Sequence, residues 1–256
     1  MKRVLTALAL VPIVVYVVLW ANLWIFLAVL FSVAFLCYRE YDQIAAAYGF
    51  GAPGLAGAAA GYLLFAWHGD AWLYLTIVAI ITLVAVMRMD DLGKALPRAA
   101  LLFLGVVYIF GCWKCAIPLR DLNPHWLMFG LMLNWVGDSG AYFVGRKFGK
   151  HKLAPRVSPK KSWEGSVASV VTSVVFGGAY LLRFLDGITI AHAIGITVAA
   201  NVGGQLGDLA ESAMKRGAGV KDSGTILPGH GGFLDRVDST LFSLPVIYAY
   251  LLLLPK

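Results

Sequence analysis

Long apolar runs, separated by short polar or glycine-containing breaks, follow one another along the whole chain. Nine such runs cover residues 4–20, 22–37, 53–67, 71–88, 98–117, 125–145, 164–185, 188–212 and 238–255. Most approach the roughly 20 apolar residues that a helix needs to cross a hydrocarbon core of about 30 Å. The first run is too long for the apolar part of a cleaved signal peptide, so we expect it to be retained. The pattern predicts an all-α polytopic membrane protein with about nine transmembrane helices.

The composition agrees with lipid as the main solvent of this chain. Of its 256 residues, 60% are hydrophobic and 14% are charged, whereas soluble domains average about 25% charged residues. These values exclude a disordered chain, a collagen-like chain and a small disulfide scaffold. Cys112 and Cys115 have the spacing of half a zinc site, but the chain has only three cysteines and no second pair.

The positive charges predict how the chain is oriented in the membrane. The net charge is 21 − 14 = +7, which suits an anionic membrane surface or a phosphate-bearing substrate, although nucleic-acid binding would have the same appearance. If the nine runs alternate across the membrane, 17 of the 21 Lys and Arg residues fall on the side of the N-terminus. The positive-inside rule therefore predicts a cytoplasmic N-terminus.

The polar residues predict where the chemistry lies. Residues 1–120 are mainly lipid-compatible scaffold helix, whereas residues 125–256 contain nearly all the polar groups of the spans and loops. We therefore expect one integral membrane domain over residues 1–256, with catalytic helices and cytoplasmic loops in its second part. The predicted orientation places these loops, and the chemistry that they carry, on the cytoplasmic side of the membrane.

A polar stripe marks the eighth predicted span. Its members follow one another at spacings of four, three, four and three residues, and are Asn201, Gln205, Asp208, Ser212 and Lys215. This spacing places them on one helix face, with Glu211 at the edge of the stripe. Ionisable groups inside a span are costly and point to function, although the stripe could also be a polar helix–helix contact.

The start of the ninth span adds further carboxylates. Asp235 and Asp238 are three residues apart, where carboxylates are favoured at a helix N-terminus. Capping alone would explain Asp238. Together with Asp208, however, these carboxylates would form the kind of site that magnesium uses when it also binds phosphate oxygens.

The sixth span ends in a second polar face, with Asn134, Asp138, Tyr142 and Arg146 spaced four residues apart. A basic loop over residues 146–161 follows, and it could serve only as an orientation signal and a contact for anionic lipid. In the seventh span, small residues at spacings of four, three and four predict a packing face; they are Ser162, Ser166, Ser169 and Ser173.

The loop over residues 215–232 is rich in glycine and contains Lys215, Arg216 and Lys221. Glycines let backbone amides approach an anion, so this composition favours phosphate binding. The loop lacks the G-x-x-x-x-G-K-[ST] pattern of a nucleotide-binding P-loop. His230 lies between two glycines and could be an acid, a base or a phosphate donor.

Residues 212–238 closely resemble the signature of the phosphatidate cytidylyltransferase family, also called CDP-diacylglycerol synthases. The matching positions are Ser212, Lys215, Arg216, Lys221, Asp222, Pro228, His230, Gly231, Gly232, Asp235, Arg236 and Asp238. Residues 207–212, 138–146 and 158–165 also resemble segments of this family.

The resemblance implies a reaction between CTP and phosphatidic acid in the bilayer that gives CDP-diacylglycerol and pyrophosphate. It implies that Asp208 and Asp235 bind magnesium, alone or with a second cation, and it suggests a homodimer. The expected catalytic residues are Lys215, Arg216, Lys221, Asp222, His230, Arg236 and Asp238. The expected substrate-binding residues are Asp138, Lys160, Lys161, Ser212, Ser223, Gly231 and Gly232. No nucleic-acid partner is expected.

Two other functions are weighed against this one. A CTP-dependent polyprenol or phytol kinase would also be a multi-span protein that uses a cytidine nucleotide, but it would release CDP. A transporter of an anionic substrate would commonly show internal repeats and broken helices near mid-membrane, which the sequence does not show.

Overall fold

The computed structural model describes residues 2–51, 54–226 and 231–253, with side chains from Leu10 onward. Within these ranges helices dominate and one short hairpin interrupts them, so the predicted all-α class is confirmed. In chain order the helices are α1 (Lys2–Leu19), α2 (Leu23–Ala47), α3 (Gly54–Ala66), α4 (Ala71–Val86), α5 (Ala95–Gly105), α6 (Cys112–Lys114), α7 (Ala116–Leu122), α8 (Pro124–Phe148), α9 (Trp163–Phe184), α10 (Ile190–Gly217) and α11 (Asp238–Leu253).

Each predicted apolar run contains helical residues. Among the described residues, three helical segments are long and apolar enough to cross a membrane, namely Leu23–Ala47, Leu92–Leu122 and Trp163–Phe184. Other apolar helices in these ranges are shorter, including α3, α4 and α11. The total of nine spans and the cytoplasmic N-terminus stay predictions.

The basic loop after α8 contains a hairpin that the sequence did not predict. Strand β1 (Lys152–Ala154) pairs antiparallel with β2 (Ser158–Ser162), and Lys152 lies opposite Ser162. The strands lack the alternation of apolar and polar residues by which a half-buried strand is recognised. Lys160 and Lys161 therefore lie on an ordered strand.

The segment Leu92–Leu122 departs from regular α-helix. It starts with a 3-10 turn, Leu92–Lys94, and contains a π-helix, Val106–Gly111, between α5 and α6. Lys114 at the end of α6 donates to the carbonyl oxygens of Leu64 at 2.7 Å and Trp67 at 2.6 Å. The lysine thereby binds carbonyls at the C-terminal end of α3, where helices leave acceptors without an internal partner.

Contacts divide the chain into two compact units made of segments that are distant in sequence. The first unit contains Met1–Asn22, Cys115–Ala213 and Arg236–Lys256. The second contains Leu23–Lys114 and Met214–Asp235. The single domain expected over residues 1–256 stays a prediction.

Small and polar residues determine the packing of the first unit. A Cβ atom at Gly137 would lie 2.7 Å from Ser169 Oγ and 2.9 Å from Ser173 Oγ. Both serines are buried and lie on the predicted small-residue face of α9. The packing role of this face is therefore confirmed for Ser169 and Ser173, since it lets α8 approach α9 closely.

Aromatic side chains form the core of the second unit. The fully buried ring of Phe110 lies 5.3 Å from the rings of Tyr38 and Tyr62 and 5.8 Å from Phe65, measured between centroids. Gly61 of α3 contacts the same ring so closely that a Cβ atom there would overlap with it. The absence of a side chain at Gly61 therefore lets α3 pack on the π-helical segment.

We expect Gly61→Ala to lower the free energy of unfolding by about 1–3 kcal/mol, because overpacking displaces a buried ring. The measurement is the thermal unfolding midpoint in detergent. Gly178→Ala is the matched control, since Gly178 also lies inside a helix but an added Cβ would have no atom within 4 Å apart from its chain neighbours and the backbone of its own helix. An equal effect of both substitutions would contradict this account of the core.

Candidate active site

The first unit contains a cavity of about 560 Å³ that opens among α8, the hairpin, α9 and α10. It brings together four of the expected metal- and substrate-binding residues, namely Asp138, Lys160, Lys161 and Asp208. Asn134, Tyr142 and Arg146 also line it, as their spacing along α8 predicts, and so do Asn201 and Gln205 of α10. Helical periodicity predicted each polar face, whereas the structure shows that the two faces meet at one cavity.

The charged groups of this cavity compensate one another. Lys161 on β2 forms an ion pair with Asp208 on α10. Asp138 interacts electrostatically with Asp208 as a like charge, and with Lys161 and Arg236 as opposite charges. Ser212 Oγ donates to Asp208 Oδ1 at 3.4 Å. Asp208 is therefore the carboxylate on which the polar contacts of the cavity converge.

The amide side chains of the cavity form a hydrogen-bonded scaffold. Asn201 Nδ2 donates to Ser169 Oγ at 3.0 Å and to Ser173 Oγ at 2.9 Å. Gln205 Nε2 donates to Asn201 Oδ1 at 2.7 Å, and Ser166 Oγ donates to Gln205 Oε1. These bonds link α9 to α10. Asn201 and Gln205 therefore form a polar helix–helix contact, which was the alternative interpretation of the stripe.

The last span begins at the residue that the sequence predicts. Helix α11 begins at Asp238, whereas Asp235 lies in the preceding 3-10 turn, Leu234–Arg236. Asp238 is buried, and its Oδ1 accepts from the amide of Ser239 at 2.6 Å. It also interacts as a like charge with Asp208, Glu211 and Asp138. Asp238 thus belongs to the acidic surroundings of Asp208.

In the second unit, Asp235 organises the glycine-rich loop. Its carboxylate accepts hydrogen bonds from Lys215 Nζ, from the Ser223 amide at 3.0 Å and from the Gly232 amide at 2.8 Å. Gly231 has a φ of +80°, and a Cβ there would lie 2.8 Å from Asp235 Oδ2. The anion that these loop amides approach is therefore the carboxylate of Asp235 itself.

Burial works to raise the pKa of Asp235, but hydrogen bonds from Lys215, Gly232 and Ser223 outweigh it and hold the pKa below its usual value. The carboxylate is consequently ionised at neutral pH. Lys215 and Asp235 each keep only 9% of the side chain exposed, so this ion pair is well shielded from water.

Glu40 on α2 is the residue that the sequence analysis missed. It is fully buried, and its carboxylate accepts from Ser223 Oγ at 2.7 Å and from the amides of Phe233 at 2.8 Å and Leu234 at 2.7 Å. The predicted second span ended at residue 37, so Glu40 fell outside it. A lone glutamate near the end of an apolar helix was the signal that could have found it.

The remaining predicted residues lie in several environments. Lys221 and Asp222 are exposed, and Arg216 Nη1 donates to the Val220 carbonyl at 3.0 Å. Arg236 belongs to the first unit and acts electrostatically on Asp138. His230 and Pro228 lie outside the described residues.

The donor chemistry fits magnesium. Asp208 and Asp235 both present carboxylate oxygens, and Asp208 has acidic neighbours. Among the described residues, no group of three or more His, Cys, Asp or Glu side chains is arranged to hold a metal. A complete protein cage is not needed for magnesium, which commonly uses one or two carboxylates, several waters and substrate phosphates. Asp208 and Asp235 lie in different units, so their pairing stays a prediction.

Comparison with known proteins agrees with the motifs. A model described as the cytidylyltransferase family matches residues 1–254. The chain is 37% identical to the phosphatidate cytidylyltransferase of Bacillus subtilis (strain 168), over 75% of this chain and 72% of that protein. It is 37% identical to the enzyme of that name from Staphylococcus aureus (strain COL), over 67% of this chain and 64% of the relative. The chain therefore belongs to the cytidylyltransferase family and is a nucleotidyltransferase.

We expect Asp235→Asn to destabilise the protein by about 1–3 kcal/mol at pH 7, because it removes the charge that binds Lys215 and two amides. The wild-type stabilisation is fully present above the pKa of an unfolded aspartate, about 3.9. It is lost as the pH falls through the lower pKa of the folded protein. The difference in unfolding midpoint between wild type and variant should therefore shrink on acidification.

The control is Asp222→Asn, which alters an exposed carboxylate of the same loop and should change the midpoint little at any pH. A wild-type-to-variant difference for Asp235→Asn that is constant from pH 7 down to pH 3 would contradict the assigned role of the charge.

Proposed function

We propose that this chain transfers a cytidylyl group from CTP to phosphatidic acid and releases CDP-diacylglycerol and pyrophosphate. The observation that carries this proposal is the cavity of the first unit, where Asp208 and Asp138 face Lys160, Lys161 and Arg146. A cavity with carboxylates and cations side by side suits a reaction of two phosphate-bearing substrates that needs a divalent cation. The relatives named phosphatidate cytidylyltransferase support the same substrates.

The chemistry is an in-line displacement at phosphorus. A phosphatidate oxygen attacks the α-phosphorus of CTP, the bond between that phosphorus and the bridging oxygen to the β-phosphate breaks, and pyrophosphate leaves with the electron pair. Phosphatidate is already anionic at neutral pH, so little general-base help is needed. The barrier arises mainly from repulsion between two anions and from charge on the leaving group.

The cations of this chain lower that barrier. Lys160, Lys161 and Arg146 line the cavity and offset the charge of the phosphates in a partly enclosed site, where such interactions are stronger than in water. The lipid chains stay in the bilayer while CTP arrives from water. This requirement explains why the cationic residues lie at helix ends and on the hairpin.

Asp208 and Asp235 would hold magnesium, alone or with a second cation. When bound, magnesium supplies charge neutralisation on the phosphates and polarises the reacting phosphorus. Lys161 is paired with Asp208, and it would be able to bind a substrate phosphate if Asp208 held a cation instead.

The membrane arrangement completes the proposal. The basic residues on one side favour a cytoplasmic N-terminus and a site that faces the cytoplasm, in the bacterial inner membrane. A homodimer stays a prediction from the family resemblance.

The decisive assay supplies the purified protein in detergent with phosphatidic acid, magnesium and CTP labelled at the α-phosphorus. We expect label in chloroform-soluble lipid together with release of pyrophosphate. A kinase would instead transfer the unlabelled γ-phosphate and leave the label in the released CDP. A transporter would form no labelled lipid. Folded protein that gives no α-labelled lipid would refute the proposal.

We expect Asp208→Asn and Asp235→Asn each to reduce turnover at least ~100-fold, as loss of the main charge partner of a catalytic metal would do. The measurement is kcat at saturating magnesium. Asp186→Asn is the control, because Asp186 is an exposed aspartate in the loop between α9 and α10. Near-normal turnover of either active-site variant would show that the substituted carboxylate does not bind the catalytic cation.

A further inference from the structure

A buried carboxylate of α2 is hydrogen-bonded to one residue of the glycine-rich loop and to two residues that directly follow the loop. Glu40 Oε2 accepts from Ser223 Oγ and from the Leu234 amide, both at 2.7 Å, and Glu40 Oε1 accepts from the Phe233 amide at 2.8 Å. Ser223 lies within the loop and Leu234 lies after it, and both contact this one side chain. All these groups belong to the second unit.

Two glycines of the loop pack closely around the Glu40 carboxylate. A Cβ atom at Gly224 would lie 2.6 Å from Glu40 Oε1, and one at Gly232 would lie 2.6 Å from the Gly224 amide nitrogen. The two glycines therefore let the loop backbone close around the carboxylate. A charged group without exposed surface remains favourable only if its acceptors are satisfied in this way.

Ser223 connects Glu40 to Asp235. Its hydroxyl donates to Glu40 and accepts from the Asp235 amide at 3.3 Å, while its own amide donates to Asp235 Oδ2 at 3.0 Å. Asp235 in turn binds Lys215. A continuous chain of hydrogen bonds thus runs from Glu40 through Ser223 to the carboxylate proposed to bind metal.

We infer that Glu40 is a positioning residue, which fixes Asp235 for cation binding by holding Ser223, Phe233 and Leu234. It does not touch the substrates or the metal. The inference rests on the proposed function, since it assigns Glu40 a role only through Asp235. The carboxylate form is required because three donors converge on it, whereas the amide of a glutamine would turn its own N–H groups toward one of them.

The first test compares hydrogen exchange of wild type and Glu40→Gln in detergent without magnesium. Amides in residues 223–235 should exchange roughly tenfold faster in the variant, as loss of hydrogen bonds predicts. Peptides from α8 and α9 should be unchanged. Unchanged exchange across residues 223–235 would overturn the inference whatever the enzyme activity is.

The second test measures kinetics with CTP and phosphatidic acid. Glu40→Gln should reduce kcat about 10- to 100-fold and raise the magnesium concentration for half-maximal rate, as loss of a group that orients a metal ligand does. Glu40→Asp should restore part of the rate because it keeps the charge. A fall in kcat with an unchanged magnesium requirement, and no recovery with Glu40→Asp, would indicate a merely structural residue.

The matched control is Asp42→Asn, which alters a carboxylate on the same helix. Asp42 Oδ1 accepts a hydrogen bond from the Gly54 amide at 2.8 Å, and asparagine can accept that bond equally. Its rate and magnesium requirement should equal those of wild type. A wild type without activity would refute the proposed function, whereas the exchange experiment still decides the role of Glu40 in the loop.

Ser223→Ala tests the connection even if substitutions of Glu40 prevent folding. It removes the hydroxyl between Glu40 and Asp235 but keeps the Ser223 amide and the bonds of Phe233 and Leu234 to Glu40. We expect a raised magnesium requirement while exchange at Phe233 and Leu234 stays slow. A wild-type magnesium requirement would overturn the proposed path through Ser223.

Discussion

Polar groups among apolar helices must find partners within the protein, because neither lipid nor a packed core supplies them. This constraint explains the interior of each unit. Arg120 donates to the Val18 and Ala21 carbonyls at the C-terminal end of α1. Asn134 Nδ2 donates to Thr240 Oγ1 and Ser243 Oγ at 3.2 and 2.9 Å. Glu40 meets the same need with groups of a distant loop. Such bonds specify which helix ends and loops lie together, since an apolar contact alone would tolerate many alternatives.

The sequence predicted those features that follow from local periodicity. Asp138 and Arg146 are two turns apart on α8, and Asp208 lies on the polar stripe of α10, so each polar face could be anticipated, although not their convergence on one cavity. The family signature added the substrate class and singled out Asp235. Most helix positions also followed from the spacing of apolar runs, because about one span length separates successive turn signals.

Other features depend on contacts between distant residues and could not be predicted in this way. The hairpin is too short and too polar to show a strand pattern. Glu40 acquires its role from residues 223, 233 and 234, more than 180 positions away, and no local property of α2 indicates such partners. Lys215 was expected to be a catalytic residue, but its observed partner is Asp235. In each case the tertiary structure determines which of several chemically equivalent partners a residue contacts.

The bonds of Glu40 also affect how this enzyme can be recombined with its relatives. A hybrid divided near residue 120 would take α2 from one parent and the glycine-rich loop from another. Such a hybrid could contain every signature residue and still have a misplaced Asp235, because the carboxylate that shapes the loop lies outside the signature. Helix α2 and residues 214–235 must therefore come from the same parent, although most of the chain separates them.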